Sequence, residues 1–218
     1  MITLLAAVTV GLITGRVLGI LMNRRDKRAA PKVAAKPRVG SLGAGGADER
    51  LRGLPCTVGD VVTLAHGEEA WLSGAILFRE RVAHRDEAGD PVRTAAALFV
   101  GPDRAVARAV YARPLPEASL DWMWPLAPDA LTIGTEPPSA VEHDGERFER
   151  VRRIPLALVV VGTGAPELGS SAVVGEYEGA AGARLLVVIG VKGTTIWRGR
   201  RLEEGMYDVL PGTQTAGS

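Results

Sequence analysis

The chain has 218 residues, of which 46% are hydrophobic, and a formal net charge of +1 at pH 7. A balanced charge with one cysteine and three histidines excludes an intrachain disulfide and disfavours both nucleic-acid binding and a cysteine-based metal site. The charge is unevenly spread, because residues 1–50 carry nine Lys and Arg against three Asp and Glu. The basic excess therefore belongs to the N-terminal part of the chain.

Residues 1–23 form an almost uninterrupted apolar run. About 20 apolar residues at a rise of about 1.5 Å match the roughly 30 Å hydrocarbon core of a bilayer, so the run predicts one transmembrane α-helix. Positive residues follow the run, which places the C-terminal side in the cytoplasm. A cleaved signal peptide and a soluble amphipathic segment are the alternatives, although the charges lie at the wrong end for a signal peptide.

Two sets of residues in and after this run are candidate membrane contacts. Three glycines recur at every fourth position of the run: Gly11, Gly15 and Gly19. Their stripe predicts close packing and self-association of the transmembrane helix. Four basic residues follow: Arg24, Arg25, Lys27 and Arg28. We expect them to contact lipid headgroups, or alternatively only to set the topology.

Residues 24–50 are rich in Ala, Pro, Lys and Gly and show no apolar period. This composition predicts a basic, flexible linker that cannot bury enough surface to fold. A β domain is predicted over residues 51–212, and a disordered tail over residues 213–218.

Ten short apolar or alternating runs in the β domain have the length of strands and no helical period. They cover residues 60–64, 70–78, 93–100, 105–111, 147–152, 156–161, 172–177, 184–191, 194–197 and 206–210. Turn signals separate them at 66–67, 101–103, 144–145 and 192–193, which favours antiparallel hairpins. The predicted fold is therefore mainly β, with antiparallel strands in one domain or in two small β-barrel or sandwich-like halves.

Residues 113–138 hold six prolines. They predict an irregular crossover that packs Trp122 and Trp124 over one end of the sheet and that divides the domain. The larger aromatic residues are predicted to fill the core: Trp71, Phe78, Phe99, Trp122, Trp124, Tyr177 and Trp197.

A series of short patterns runs along the β domain in a recognisable order. They are residues 54–62, Pro137-Pro138 with residues 144–148, residues 175–179 leading to 184–188, and residues 205–212. Together they resemble the bacterial family catalogued as domain of unknown function 4178, over roughly residues 54–212. The resemblance implies a mainly β accessory domain, often in membrane-associated proteins, without an established activity or catalytic residues to transfer.

The glycines of 159–164 and Gly169 superficially resemble a dinucleotide-binding fingerprint. That motif must open a helix, whereas residues 170–177 have a β pattern, so no cofactor is predicted. The spacing of His84 from Asp86 and of His143 from Asp144 fits no metal site, and none is predicted.

Two further groups of reactive residues have structural interpretations. Cys56 lacks a recognisable catalytic signature and is predicted to be a structural thiol. Adjacent acids such as Glu68 with Glu69, and Glu203 with Glu204, point to opposite faces of a strand and suit solubilising charges better than a catalytic dyad.

The sequence therefore predicts a single-pass protein of the bacterial inner membrane with a cytoplasmic β domain. We expect a non-enzymatic interaction or accessory module whose partners are the bilayer and a membrane-associated protein, and not nucleic acid. One alternative is an accessory enzyme or small-ligand-binding domain with its site between two β halves. Another is lipid sensing by the basic cluster.

Overall fold

The computed structural model describes residues 49–81, 92–102 and 108–212. The predicted transmembrane helix over 1–23, the linker up to residue 48 and the tail over 213–218 lie outside the described residues. Within the described ranges, no helix has both the length and the hydropathy of a membrane span.

The described residues form twelve β-strands and two short 3-10 turns, Glu49–Leu51 and Ala180–Gly182. The first six strands are β1 Val61–Leu64, β2 Glu69–Trp71, β3 Gly74–Arg81, β4 Val92–Val100, β5 Ala109–Arg113 and β6 Ser119–Pro125. The other six are β7 Ala140–His143, β8 Glu146–Gly162, β9 Ser171–Glu178, β10 Ala183–Gly190, β11 Gly193–Leu202 and β12 Tyr207–Leu210.

Eight strands close into an antiparallel barrel in the order β3-β4-β5-β6-β11-β10-β9-β8, and the pairing of β3 with β8 completes the ring. Closure pairs both sides of these strands and removes exposed sheet edges. Strands from both parts of the sequence enter one ring. The alternative of two separate β halves is therefore wrong, while the prediction of a mainly β, antiparallel fold is confirmed.

The strand β8 pairs with two neighbours on one side. Its first residues, 146–149, pair with β7, and residues 157–162 pair with β3. Pro155 lies between these two segments and, among the described strands, pairs only with β9. A proline lacks the N–H for a ladder hydrogen bond, and it is tolerated here because no described strand pairs with the other side of β8 at this position.

The barrel interior is filled by one apolar cluster with members on all eight strands. Its buried residues are Ile76, Phe78, Ala96, Leu98, Val100, Ala109, Tyr111, Met123, Leu156, Leu158, Ala165, Leu168, Ala172, Val174, Leu186, Val188 and Trp197. Two of them, Ala165 and Leu168, come from the loop after β8, which therefore closes one end of the barrel. An eight-stranded barrel is just wide enough for side chains to fill it.

A second sheet, β12-β1-β2, packs on the outer wall formed by β3 to β6. Its inward residues, such as Val62 and Ala70, contact outward residues of the barrel, such as Phe99 and Trp122. Cys56 is buried in the same layer. A third cluster covers another part of the wall, where Leu131 and Phe148 pack on β9 to β11.

Five of the ten predicted strands are confirmed within one residue, over 60–64, 93–100, 172–177, 184–191 and 206–210. The run over 105–111 corresponds to β5, which extends to Arg113, and the run over 194–197 covers only the first part of β11. The predicted run over 70–78 is two strands, β2 and β3, and the runs over 147–152 and 156–161 form the single strand β8. The prediction of an irregular crossover over 113–138 is wrong in its centre, because β6 is a regular barrel strand between β5 and β11. The side chains of Leu120, Trp122 and Met123 are buried there. This packing stabilises the strand more than the nearby prolines disfavour it.

Candidate functional site

The end of the barrel opposite the apolar loop is lined by charged residues. Strand alternation turns every second side chain inward, and at this end the inward positions are polar. We call this group the polar end: Tyr111, Arg113, Asp121, Glu176, Arg184 and Arg201. Five strands, β5, β6, β9, β10 and β11, contribute to it.

Glu176 is the most connected residue of the polar end. The Tyr111 hydroxyl donates to Glu176 Oε1 at 2.5 Å, and Arg113 Nη2 donates to Glu176 Oε2 at 2.5 Å. The Arg113 guanidinium also lies 5.6 Å from the centre of the Tyr111 ring. Glu176 is only 5% exposed, so these charge-assisted bonds compensate a carboxylate removed from water.

Burial shifts the pKa values of this group. Desolvation raises the pKa of the Tyr111 hydroxyl, and the neighbouring Glu176 carboxylate raises it further. Desolvation also raises the pKa of Asp121 above 3.8, against the opposing effect of Arg201, Arg184 and Arg113. Both groups therefore favour their neutral forms more than they would in water.

Two arginines of the polar end have unused hydrogen-bonding capacity. The Nε atoms of Arg113 and Arg184 are buried and have no hydrogen-bond partner among the described residues. Both residues line a small cavity together with Asp121 and Glu176. Its volume of about 10 Å³ is near the minimum for one water molecule, so this end of the barrel is packed and not an open cleft.

The outer face of the small sheet is the second candidate. Leu210, Val61 and Trp71 are in register across β12, β1 and β2, and they form one apolar row on the solvent side. Trp71 is 64% and Leu210 is 52% exposed. Large apolar side chains placed side by side in solvent are typical of interaction surfaces.

The next row on this face is acidic. Asp208, Thr63 and Glu69 are in register, and Glu203 and Glu204 are exposed in the turn before β12. We call the two rows together the Trp71 face. The Trp71 indole donates to Glu69 Oε2 at 3.3 Å, which links the rows.

The small sheet keeps an unpaired edge at β2, which pairs only with β1 among the described strands. On the β1 side, the Leu72 N–H donates to the Asp60 carbonyl, the Leu72 carbonyl accepts from the Gly59 N–H, and the Glu68 carbonyl accepts from the Leu64 N–H. In an antiparallel ladder the backbone groups of successive residues point to opposite sides. Those of Glu69 and Trp71 therefore point away from β1.

The predicted membrane contacts cannot be compared with this geometry. Gly11, Gly15 and Gly19 of the helix stripe, and the basic residues Arg24, Arg25, Lys27 and Arg28, all lie outside the described residues. The same holds for His84 and Asp86.

Other residues considered in the sequence are placed apart from one another. Burial raises the pKa of the Cys56 thiol well above its usual value, with a smaller effect of Asp60, as expected of a structural thiol. His143 Nε2 lies 3.3 Å from Asp144 Oδ2, beside the turn between β7 and β8. The described residues contain no group of three or more His, Cys, Asp or Glu that could hold a metal ion. The glycines after β8 lead into the strand β9 and not into a helix.

Sequence reasoning missed the residues of both candidate sites. The sequence predicts Trp71 in the core, yet it is exposed because Ala70 and Leu72 take the inward positions. The apolar residues on both sides of Trp71, at strand spacing, are the available signal. Asp121 and Glu176 are buried acids within strands, and their inward placement depends on neighbours that are distant in sequence.

Comparisons with protein-family models, with curated proteins and with solved structures find no match. The resemblance to domain of unknown function 4178 therefore stays a prediction.

Proposed function

We propose that this protein is a single-pass inner-membrane protein whose cytoplasmic β domain is a non-enzymatic interaction module of a membrane-associated complex. The apolar run over residues 1–23 and the basic residues after it support the anchor and its orientation. Tethering would keep the domain close to membrane-bound partners and raise its effective concentration there, so that weak contacts suffice.

The observation that carries the interaction role is the contrast between the interior and the surface of the β domain. The barrel interior is filled, and the cavity at the polar end holds about 10 Å³. The Trp71 face, by contrast, exposes the apolar side chains of Trp71 and Leu210, with the partly buried Val61 between them. Substrate pockets are concave and of several hundred Å³, whereas interaction modules expose apolar patches.

Fractionation of cells tests the anchor. We expect the full chain to remain in the pellet after an alkaline carbonate wash, and a chain without residues 1–23 to enter the supernatant. A phosphatase fused after Ser218 should be inactive, because the C-terminal side faces the cytoplasm. Release of the intact full chain, or an active phosphatase fusion, would contradict the proposal.

The glycine stripe supports self-association of the helix as part of this function. In a reporter assay of transmembrane pairing, Gly15→Ile should reduce the signal, because a branched side chain separates the two backbones. Leu21→Ile on the same helix is the matched control. An unchanged signal for Gly15→Ile would remove pairing through Gly11, Gly15 and Gly19.

A further inference from the structure

We propose that the Trp71 face binds an extended segment of a partner protein that carries an apolar residue and, two positions away, a Lys or Arg. This inference rests on the proposed role as an interaction module and specifies where and what the module binds. The segment would add as a strand beside β2, because that strand is the edge of the small sheet. Strand addition to an open edge is a recurring mode of peptide recognition.

The apolar row supplies the anchor of this site. Trp71 lies at the edge strand and is the most exposed member of the row, with Val61 and Leu210 continuing the surface behind it. A tryptophan offers a large contact area at a low cost in side-chain entropy, and it is enriched among residues that dominate binding energy. An apolar residue of the partner would pack on the indole as a cross-strand neighbour.

The acidic row supplies the charge preference. Glu69 lies two residues before Trp71 on the same face of β2, and Asp208 on β12 lies in the same row as Glu69. The exposed Glu203 and Glu204 add to this negative potential. A Lys or Arg placed two residues from the apolar anchor would face Glu69, because side chains i and i+2 lie on one face of a strand.

The same charge argues against two other occupants. An anionic bilayer surface would be repelled by the acidic row. In a second copy of this chain, the Trp71 face would bring its own acids against these acids, which disfavours face-to-face self-association.

The edge supplies the backbone contacts. The N–H and C=O groups of Glu69 and Trp71 point away from β1, so a neighbouring strand would pair with the same two residues whose side chains carry the anchor and the charge. The site therefore selects the spacing between the apolar and the basic residue of the partner as well as their types. A segment with the apolar and basic residues adjacent would place one of them on the wrong face.

Peptide titration of the full chain in mild detergent tests the proposal. The probes are six-residue Thr peptides with Leu at position 2 and Lys at position 4, with Leu at position 2 and Glu at position 4, and with Leu at position 2 and Lys at position 3. Calorimetry measures the affinity. Because the chain has four tryptophans, the part of the emission change that is lost in Trp71→Thr reports contact with the Trp71 indole. We expect the peptide with Leu at position 2 and Lys at position 4 to bind at least about fivefold more tightly than the other two, and to shift the emission to shorter wavelength.

Variants separate the anchor from the charge. Trp71→Thr should weaken binding by at least about tenfold, and Glu69→Lys with Asp208→Lys should reverse the preference toward the Leu and Glu peptide. Val191→Thr is the matched control, because Val191 is an exposed apolar residue in the turn between β10 and β11, away from this face. It should leave all three affinities unchanged.

Equal affinities for the three peptides, or unchanged binding in Trp71→Thr, would overturn the proposal. Binding to anionic vesicles, or dimerisation that Trp71→Thr abolishes, would assign the face to a bilayer or to a second copy instead. A photo-crosslinker placed at position 71 or at position 191 in cells then distinguishes failure of the proposed binding site from failure of the proposed function. A membrane protein captured only from position 191 would retain the interaction role and refute the site, whereas no capture from either would count against both.

Discussion

Glu176 and Arg113 form an ion pair that is buried inside the barrel. Glu176→Ala should lower the free energy of unfolding by about 3 kcal/mol, because it leaves the Arg113 cation and the Tyr111 hydroxyl without their acceptor. Glu136→Ala is the matched control, since Glu136 pairs with Arg153 at the surface and should cost less than about 1 kcal/mol. Urea unfolding measures both. Equal losses would mean that the buried pair contributes no more than the exposed one.

Asp121 gives stability a specific pH dependence. Its folded-state pKa is raised above 3.8 by desolvation, so the folded state holds the proton to a higher pH than the unfolded chain. The stability that this proton contributes is fully present below the pKa of the unfolded state and is lost as the pH rises through the folded-state pKa. The Asp121→Asn variant has no titrating proton at this position, so it does not lose this stability as the pH rises. The stability of Asp121→Asn relative to the natural chain should therefore increase from about pH 4 to about pH 7 in urea unfolding, and a flat difference would contradict the shift.

Two glycines on β11 distinguish close packing from open space. A Cβ at Gly199 would lie 2.0 Å from the Trp122 carbonyl oxygen on β6, whereas one at Gly193 would meet nothing within 4 Å. We expect Gly199→Ala to lower the free energy of unfolding by about 1 to 3 kcal/mol, and Gly193→Ala to change it by less than about 0.5 kcal/mol. Similar values for the two would show that β6 can move away without cost.

Individual residues were predictable from the sequence where the reason is local. The turn at Asp144 and Gly145 is an example, because both residues have positive φ, 52° and 74°, as a tight two-residue hairpin requires. The orientation of Trp71 and the burial of Glu176 were not predicted, since each depends on which face of its strand the rest of the molecule covers.

At the scale of elements, β6 is the strand that local sequence conceals. Pro114 and Pro116 precede it and Pro125 is its last residue, and these prolines lower the strand propensity of the whole segment. Yet β6 pairs with β5 over 119–123 and with β11 over 120–125. The ladders on both sides stabilise the strand, and single-sequence propensity contains neither of them.

Hydrogen exchange checks this placement. Amides of residues 119–124 should exchange as slowly as those of residues 185–189 in β10, because both strands are paired on two sides inside the ring. The exposed turn residues Glu117 and Ala118 are the internal reference and should exchange fast. Fast exchange over residues 119–124 would support the irregular crossover that the sequence predicts.

At the scale of the whole molecule, the barrel is a closed ring of strands that contains its own apolar core. The described residues from 49 onward supply the three apolar clusters. A chain without residues 1–48 should therefore keep the melting temperature of the full chain in detergent, within a few degrees, while no longer sedimenting with membranes. A much lower melting temperature would mean that the N-terminal part contributes to the stability of the β domain.

The sequence by itself determined the features that depend on neighbouring residues: short alternating strands, tight turns, antiparallel hairpins, and an apolar opening run with basic residues after it. Only the tertiary structure decided that β3 pairs with β8 to close one barrel, that β6 belongs to the ring, and that Trp71 faces solvent beside two acids. The physical reason is that strand pairing joins residues far apart in the chain. The energy that selects one pairing comes from surfaces that exist only after the strands have assembled.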